Sequence, residues 1–281
     1  KRTISCLSNH QLTYDDNDKE YRSIFDHMIQ KQTNHLLNEI KNSKDLENKI
    51  IGCTAIILTG LCYKINKNYL EIGLSFLKKI TVSSIDNQGF TRSRNIKQLI
   101  FFLKYFVLIR EWFKEAQVEV PDHIEENIYY FGQGYAFIRQ NIATDLLFNG
   151  NNNSNTYDLD NYLKRLGYKF KNENKDYGGY IILKNKKICL AMDAGSSPNS
   201  KYTHDYQSGA LSFEIISNGK KLITNCGYYK KNNQNLNEIS KSSAVHSTLI
   251  IDDNSSCKFT KKRDKLILKT GLKITQRNSV C

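Results

Sequence analysis

A chain of 281 residues, 40% hydrophobic and 25% charged, with 17 Tyr, 13 Phe and 1 Trp, has room for one large domain or two ordinary ones and carries too much apolar surface to stay solvated. Its longest apolar stretches, residues 50–63 and 99–109, fall short of the ~18–20 residues a membrane-spanning helix needs, and Lys104 interrupts the second. The net charge of +13 is uneven: residues 1–145 hold 19 Lys and Arg against 17 Asp and Glu (+2), and residues 146–281 hold 22 against 11 (+11).

That excess fits a polyanionic partner, whether nucleic acid, anionic lipid or acidic polysaccharide, and equally a well-solvated surface. The chain opens Lys1-Arg2-Thr3-Ile4, with no initiating Met and no visible signal-peptide pattern. It reads as a piece of a longer product, and compartment stays open. Seven cysteines without a CxxC pair, two of them (Cys53 and Cys189) in apolar runs, read as reduced structural thiols, with at least one disulfide as the alternative.

The first half is helical by period. Residues 18–40 place apolar side chains at 21, 24, 25, 28, 29, 36, 37 and 40, and residues 47–62, 69–80, 96–113 and 122–139 continue the pattern, the last with Pro121 just ahead of it. Helices joined by short loops pack antiparallel. The polar Gly/Asn-rich loop 148–156 marks the domain boundary, giving a helical domain 1–146 and a second domain 147–281. Beyond it, strands are expected at 178–183, 187–192, 210–216, 221–224, 247–251 and 265–269, with hairpin turns at Asn185-Lys186 and Asn218-Gly219. Residues 271–281 look like the start of a further strand. Close-spaced strands without intervening helices predict an antiparallel β-sandwich.

The informative motifs are strand-flanking. They are Asp193-Ala-Gly195, Leu211-Ser-Phe-Glu214, Asn225-Cys-Gly227 and Ala244-Val-His-Ser-Thr-Leu249, preceded by Cys6-Leu-Ser-Asn9, the run Asp86–Asn95, Glu119-Val-Pro-Asp122 and Leu147-Phe-Asn-Gly150. In this order they resemble the heparinase II/III-like proteins of bacteria, over essentially the whole chain. The resemblance implies an α+β, two-domain fold: an incomplete (α/α) toroid of antiparallel helix pairs followed by an antiparallel β-sandwich. It implies a lyase that cleaves uronic-acid-containing polysaccharide by β-elimination, in the bacterial cell envelope or periplasm. Such chemistry requires a neutralised carboxylate to acidify the C5 proton, a Tyr or His to remove it, and an acid for the leaving sugar.

Carried over residue by residue, the resemblance thins. Asp205 and Gln207 stand where relatives have a catalytic and a zinc-binding His, His204 is one residue out of step, and Asn225 replaces a second zinc ligand. Only His246 is kept. One His and two amides do not make a zinc site, so no cofactor is expected. In the helical half, Thr91 replaces a His that relatives often carry.

The expected proton-transfer groups are His204, Tyr206 and His246. The expected substrate-binding groups are Asn9, Arg92, Arg94, Asn95 and Gln207, with Arg92 or Arg94 as a carboxylate clamp. Arg92, Arg94 and Asn9 are also in place to cap or flank helices. The basic run Lys258, Lys261, Lys262, Arg263, Lys265 suits an acidic chain or a solvated hairpin. Phosphate loops and hydrolase motifs are absent, and no nucleic-acid module fits. Two readings follow: a lyase acting on acidic polysaccharide, or a catalytically silent relative that binds an acidic envelope glycan. The sequence is silent on oligomeric state.

Overall fold

The structure, a computed structural model, describes residues 1–63, 68–139, 142, 144–152, 157–229, 234–262 and 265–275. Helices α1 (Arg2–Ser8), α2 (Lys19–Asn42), α3 (Leu46–Cys62), α4 (Tyr69–Ser84), α5 (Ile96–Glu115) and α6 (Asp122–Arg139) come first. Local chemistry starts two of them. The Asp18 carboxylate accepts from the Tyr21 N–H at 2.8 Å, and Asp45 accepts from Glu47 and Asn48. Each such cap is worth about 1 kcal/mol.

The chain separates into two compact units: Lys1–Ser84 with Phe101–Ile128, and Ile85–Ile100 with Tyr129–Cys281. Residues 85–100 and 129–146 thus group with the strands, although their sequence is helical in character. In the first unit α3 is buried along nearly its whole length, from Ile50 to Thr59, against α2 and α4. Its close approach to α4 needs Gly60, because a Cβ there would meet the Leu70 backbone nitrogen at 2.5 Å. Ile29, Ile50, Ile56, Leu77, Phe102, Leu103 and Phe106 are essentially inaccessible to solvent. At ~1.5–3 kcal/mol per buried side chain, this layer is the main source of the unit's stability. Among the described residues no helix is long and apolar enough to cross a membrane.

The second unit holds a five-stranded antiparallel sheet in chain order: β1 (Asp176–Tyr177), β2 (Tyr180–Lys184), β3 (Ile188–Asp193), β4 (Phe213–Ser217) and β5 (Lys220–Ile223). Register is fixed by pairs such as Tyr180 with Asp193 and Ala191 with Glu214. Both expected turns form. Asn185 accepts from the Lys187 and Ile188 N–H groups, and Asn218-Gly219 adopts the left-handed backbone of a type I′ hairpin, φ 48° and 76°. A separate hairpin pairs β6 (Lys258–Lys262) with β7 (Lys265–Thr270), leaving Lys258 and Lys261 exposed on the basic run; Arg263 lies outside the described residues.

Three expectations are corrected. Residues 247–251 form no strand: Leu249 and Ile251 are 71% and 64% exposed, and left-handed Asp252 and Asp253 reverse the chain instead of leading it into the sheet. Helices α7 (Tyr157–Arg165) and α8 (Gln234–Ser240) interrupt the stretch expected to be all strand. Residues 271–275 are not a strand, and 276–281 lie outside the described residues.

Candidate functional site

Seven of the eight expected site residues, all but Asn9, lie on loops of the second unit. The first loop, residues 85–95, is tied down by its own polar groups. Asp86 accepts from the Gln88 and Phe90 N–H groups, and Arg92 Nε donates to the Ile85 carbonyl at 2.7 Å. Arg94 then sits in the left-handed region, φ 57°, and turns its side chain inward. Its guanidinium meets Asp193 Oδ1 at 2.5 Å and donates to the Gly195 and Gly179 carbonyls at 2.9 and 2.8 Å, stacked over Tyr180. Burial opposes the Arg94 charge, and Asp193 together with Tyr180 and Tyr206 more than restores it, so the proton is held more tightly than in free arginine. Asn149 completes the arrangement, donating to the other Asp193 oxygen at 2.7 Å and to the Tyr180 hydroxyl.

The expected carboxylate clamp at Arg94 is therefore answered inside the fold, by the aspartate of Asp193-Ala-Gly195. Its neighbour Asn95 caps α5, accepting from the Gln98 N–H, and reaches Asp205 Oδ2 at 3.3 Å with Nδ2. Gly150 makes this approach possible: its φ is +83°, and a Cβ there would stand 2.4 Å from Asn95 Nδ2 and 2.8 Å from Asp205 Cβ.

The second loop carries Thr203–Gln207. His204 Nδ1 lies 2.5 Å from Asp205 Oδ1, with the imidazole half exposed. Among the described residues Nε2 of His204 has no partner. Asp205 also takes the Tyr228 hydroxyl, so one carboxylate gathers an imidazole, an amide and a phenol. The proton that Asp205 draws to Nδ1 leaves Nε2 of a neutral His204 with a free lone pair.

Tyr206 is placed differently from expectation. It is 1% exposed, packed with Cys257 and Leu268, its hydroxyl 3.2 Å from Ser197 Oγ. Desolvation first, and Asp193 second, push its pKa up, opposite to the lowering a base requires. Gln207 is fully buried and spent: its carbonyl oxygen accepts from Gly150 N, and its amide donates to the Gly227 and Ser240 carbonyls at 3.0 and 2.6 Å. His246 shares the Ser240 carbonyl through Nε2 at 3.1 Å, and burial lowers its pKa, leaving it neutral. Asn9 lies in the other unit, exposed, its amide on the Ser5 carbonyl at the end of α1.

Two members of the site carry no signal in the sequence. Tyr228 follows Asn225-Cys-Gly227 and reaches Asp205. Lys241 is 3% exposed and donates to the His204 and Tyr206 carbonyls at 2.8 and 3.1 Å. A lysine among Ser240, Ser242 and Ser243 reads as surface, and only the long-range fold buries it.

The zinc site that the resemblance implies is tested by the donors. Gln207 and His246 turn N–H groups, not lone pairs, toward a shared carbonyl, and Asn225 Oδ1 accepts from Ser247 N at 3.1 Å. Such a set does not fit zinc, and among the described residues no three His, Cys, Asp or Glu side chains converge.

Residues 172–277 match the family described as heparinase II/III-like, C-terminal. No curated protein sequence matches the chain. Among solved structures it is similar to a crystal structure of heparinase III, with 16% identity and a TM-score of 0.72 over 95% of this chain and 49% of that one. It is also similar to a mutant of a heparan sulfate lyase from Pedobacter heparinus, with 12% identity and a TM-score of 0.73 over 92% and 46%. A heparinase III gene product with methylated lysines gives 15% and 0.74 over 90% and 44%. The chain spans about half the length of these proteins, and at such identities the likeness is one of fold.

Proposed function

We propose that this chain, a heparinase II/III-like protein whose residues 172–277 carry that family's C-terminal domain, is a polysaccharide lyase that cleaves uronic-acid-containing chains by β-elimination. The observation that carries the reading is the 2.5 Å contact between His204 Nδ1 and Asp205, which leaves Nε2 of an exposed imidazole available as a base. In this reading His204 takes the C5 proton, Asp205 stabilises the imidazolium, and Asn95 and Tyr228 hold the carboxylate in place. The electrons of the broken C5–H bond form the C4–C5 double bond, the C4–O bond breaks, and in this reading the imidazolium gives its proton to the departing oxygen. Arg92, with Nε on Ile85 O and its terminal nitrogens without partners among the described residues, is assigned to the uronate carboxylate. The step uses no zinc.

We extend the proposal to architecture and place. The helices of residues 1–146 belong to an incomplete (α/α) toroid and the strands of 147–281 to an antiparallel β-sandwich, a division supported by the likeness to heparinase III. The protein works in the bacterial cell envelope or periplasm, where acidic glycans are met.

A second reading has its own support. The net charge of +11 over residues 146–281, together with the inward Tyr206 and the spent Gln207, suits a silent relative that only binds an acidic glycan. Incubation with a panel of acidic polysaccharides, followed by ultraviolet absorbance of the unsaturated uronate, separates the two. Accumulating unsaturated ends that vanish in His204→Gln support the lyase; binding without new absorbance supports the silent relative.

A further inference from the structure

One buried charge is left unused by that chemistry. Lys241 follows α8, and its side chain runs beneath the 203–207 loop. Its backbone N–H donates to the Glu238 carbonyl, and its own carbonyl accepts from Ser208 N at 3.1 Å. The ammonium therefore has little freedom. It grips the carbonyls on either side of Asp205, those of His204 and Tyr206, and lies 4.8 Å from the Phe259 ring centre and 5.7 Å from that of Tyr228. A cation on an aromatic face, with two carbonyl acceptors, is the arrangement that lets a lysine stay charged out of water.

We propose that Lys241 is a positioning residue for His204: its ammonium pins the two carbonyls that flank Asp205 and so holds that carboxylate against the imidazole. The inference rests on the reading of His204 as the base and names what sets its geometry. Without the cation, the loop loses the group that fixes its backbone on both sides of Asp205, and the carboxylate loses the opposite charge that favours its ionised form.

Among the described residues, few charged and titratable groups face Lys241. Asp205 attracts it, and the Tyr228 hydroxyl is bound to that same carboxylate. Glu238 and Lys261 line with it an open cavity of about 390 Å³ that also includes Cys257, and His246 meets the Ser240 carbonyl next door. Burial lowers the Lys241 pKa from 10.5 to about 8, with Asp205 pulling the other way. The cation, and with it the charge assistance to both hydrogen bonds, is therefore present at neutral pH and lost in mildly alkaline solution.

The test reads the His204 tautomer by nitrogen NMR on imidazole-labelled protein without any glycan. In the wild type the neutral ring carries its proton on Nδ1, facing Asp205. Lys241→Met is expected to lower the ratio of Nδ1–H to Nε2–H about tenfold, the scale of one lost charge-assisted hydrogen bond, and to approach the value in Asp205→Ala. A folded Lys241→Met with the wild-type tautomer overturns the proposal. Should that variant fail to fold, the wild type alone decides: the Nδ1–H preference falls as pH rises through about 8, and an unchanged tautomer across that range overturns the proposal. Because no substrate is present, loss of the tautomer effect counts against Lys241, whereas absent lyase activity with the effect intact counts against the lyase reading alone.

Discussion

Arg94 and Asp193 stand 99 residues apart in the chain and meet at 2.5 Å with almost no exposure to solvent. The pair joins the loop 85–95 to the end of β3, and through Asn95 it sets one of the three groups around Asp205. A buried pair of this kind contributes less as a net attraction than as a constraint, since both ions gave up their water. Removing one partner strands the other.

Arg94→Met is accordingly expected to destabilise the protein by about 3–5 kcal/mol, the cost of leaving Asp193 charged and unpaired. Arg92→Met, which loses one hydrogen bond to the Ile85 carbonyl, is expected to cost about 1 kcal/mol and to raise KM for acidic glycan. Denaturant melts of the two variants check the contrast. Equal losses of stability would remove the distinction drawn between an internal and a substrate-facing arginine.

Substituting His204, the proposed base, gives the opposite balance. His204→Gln removes a half-exposed side chain, so the melting temperature is expected to stay within a few degrees of the wild type, while turnover falls about 10²–10⁴-fold. Asp205→Asn is expected to lower kcat with little change in KM, since it acts through the imidazole. Steady-state kinetics on one acidic polysaccharide read both.

Gly150→Ala probes the close approach. A left-handed backbone and a Cβ 2.4 Å from Asn95 Nδ2 leave the added methyl no place, so the loop must shift. A loss of about 1–3 kcal/mol is expected, with turnover reduced because Asn95 moves off Asp205. Gly167→Ala, also at positive φ but with no atom near its Cβ, serves as the control for backbone strain alone.

Lys241 gives stability and function opposite pH signs. Its folded pKa, about 8, lies below the ordinary 10.5, so between those values the unfolded chain binds the proton that the folded chain has released. Stability therefore rises with pH across that window, by up to about 1.4 kcal/mol per unit from this group. Turnover is expected to fall over the same range as the ammonium is lost. The wild type minus Lys241→Met difference in denaturant melts, taken from pH 7 to below 10, isolates the contribution of this one lysine.

Much of the fold was legible in the chain. The apolar period of residues 18–40 placed α2, and Asn218-Gly219 placed the β4–β5 turn, because both signals are local. Residues 247–251 have the β-branched composition of a strand, yet nothing in sequence says whether a partner edge is there to receive them. The candidate site was legible in part for the same reason. His204, Arg94, Asn95 and Gln207 stood out as chemistry-bearing types near recognisable motifs, but whether each faces solvent or the interior depends on partners far along the chain. Asp193 claims Arg94, and the Ser240 and Gly227 carbonyls claim Gln207. Lys241 was invisible because burial of a lysine follows from the carbonyls of His204 and Tyr206 and the ring of Phe259, none of them its sequence neighbours.

The central claim is that His204, aimed by Asp205, performs an elimination without zinc. The most direct measurement is the initial rate of unsaturated uronate formation by wild type and His204→Gln, each with and without a strong chelator. The account predicts a wild-type rate that the chelator leaves unchanged and a rate lowered at least about 10²-fold in the variant. A wild-type rate abolished by chelator and restored by zinc, or a variant as fast as the wild type, would contradict it.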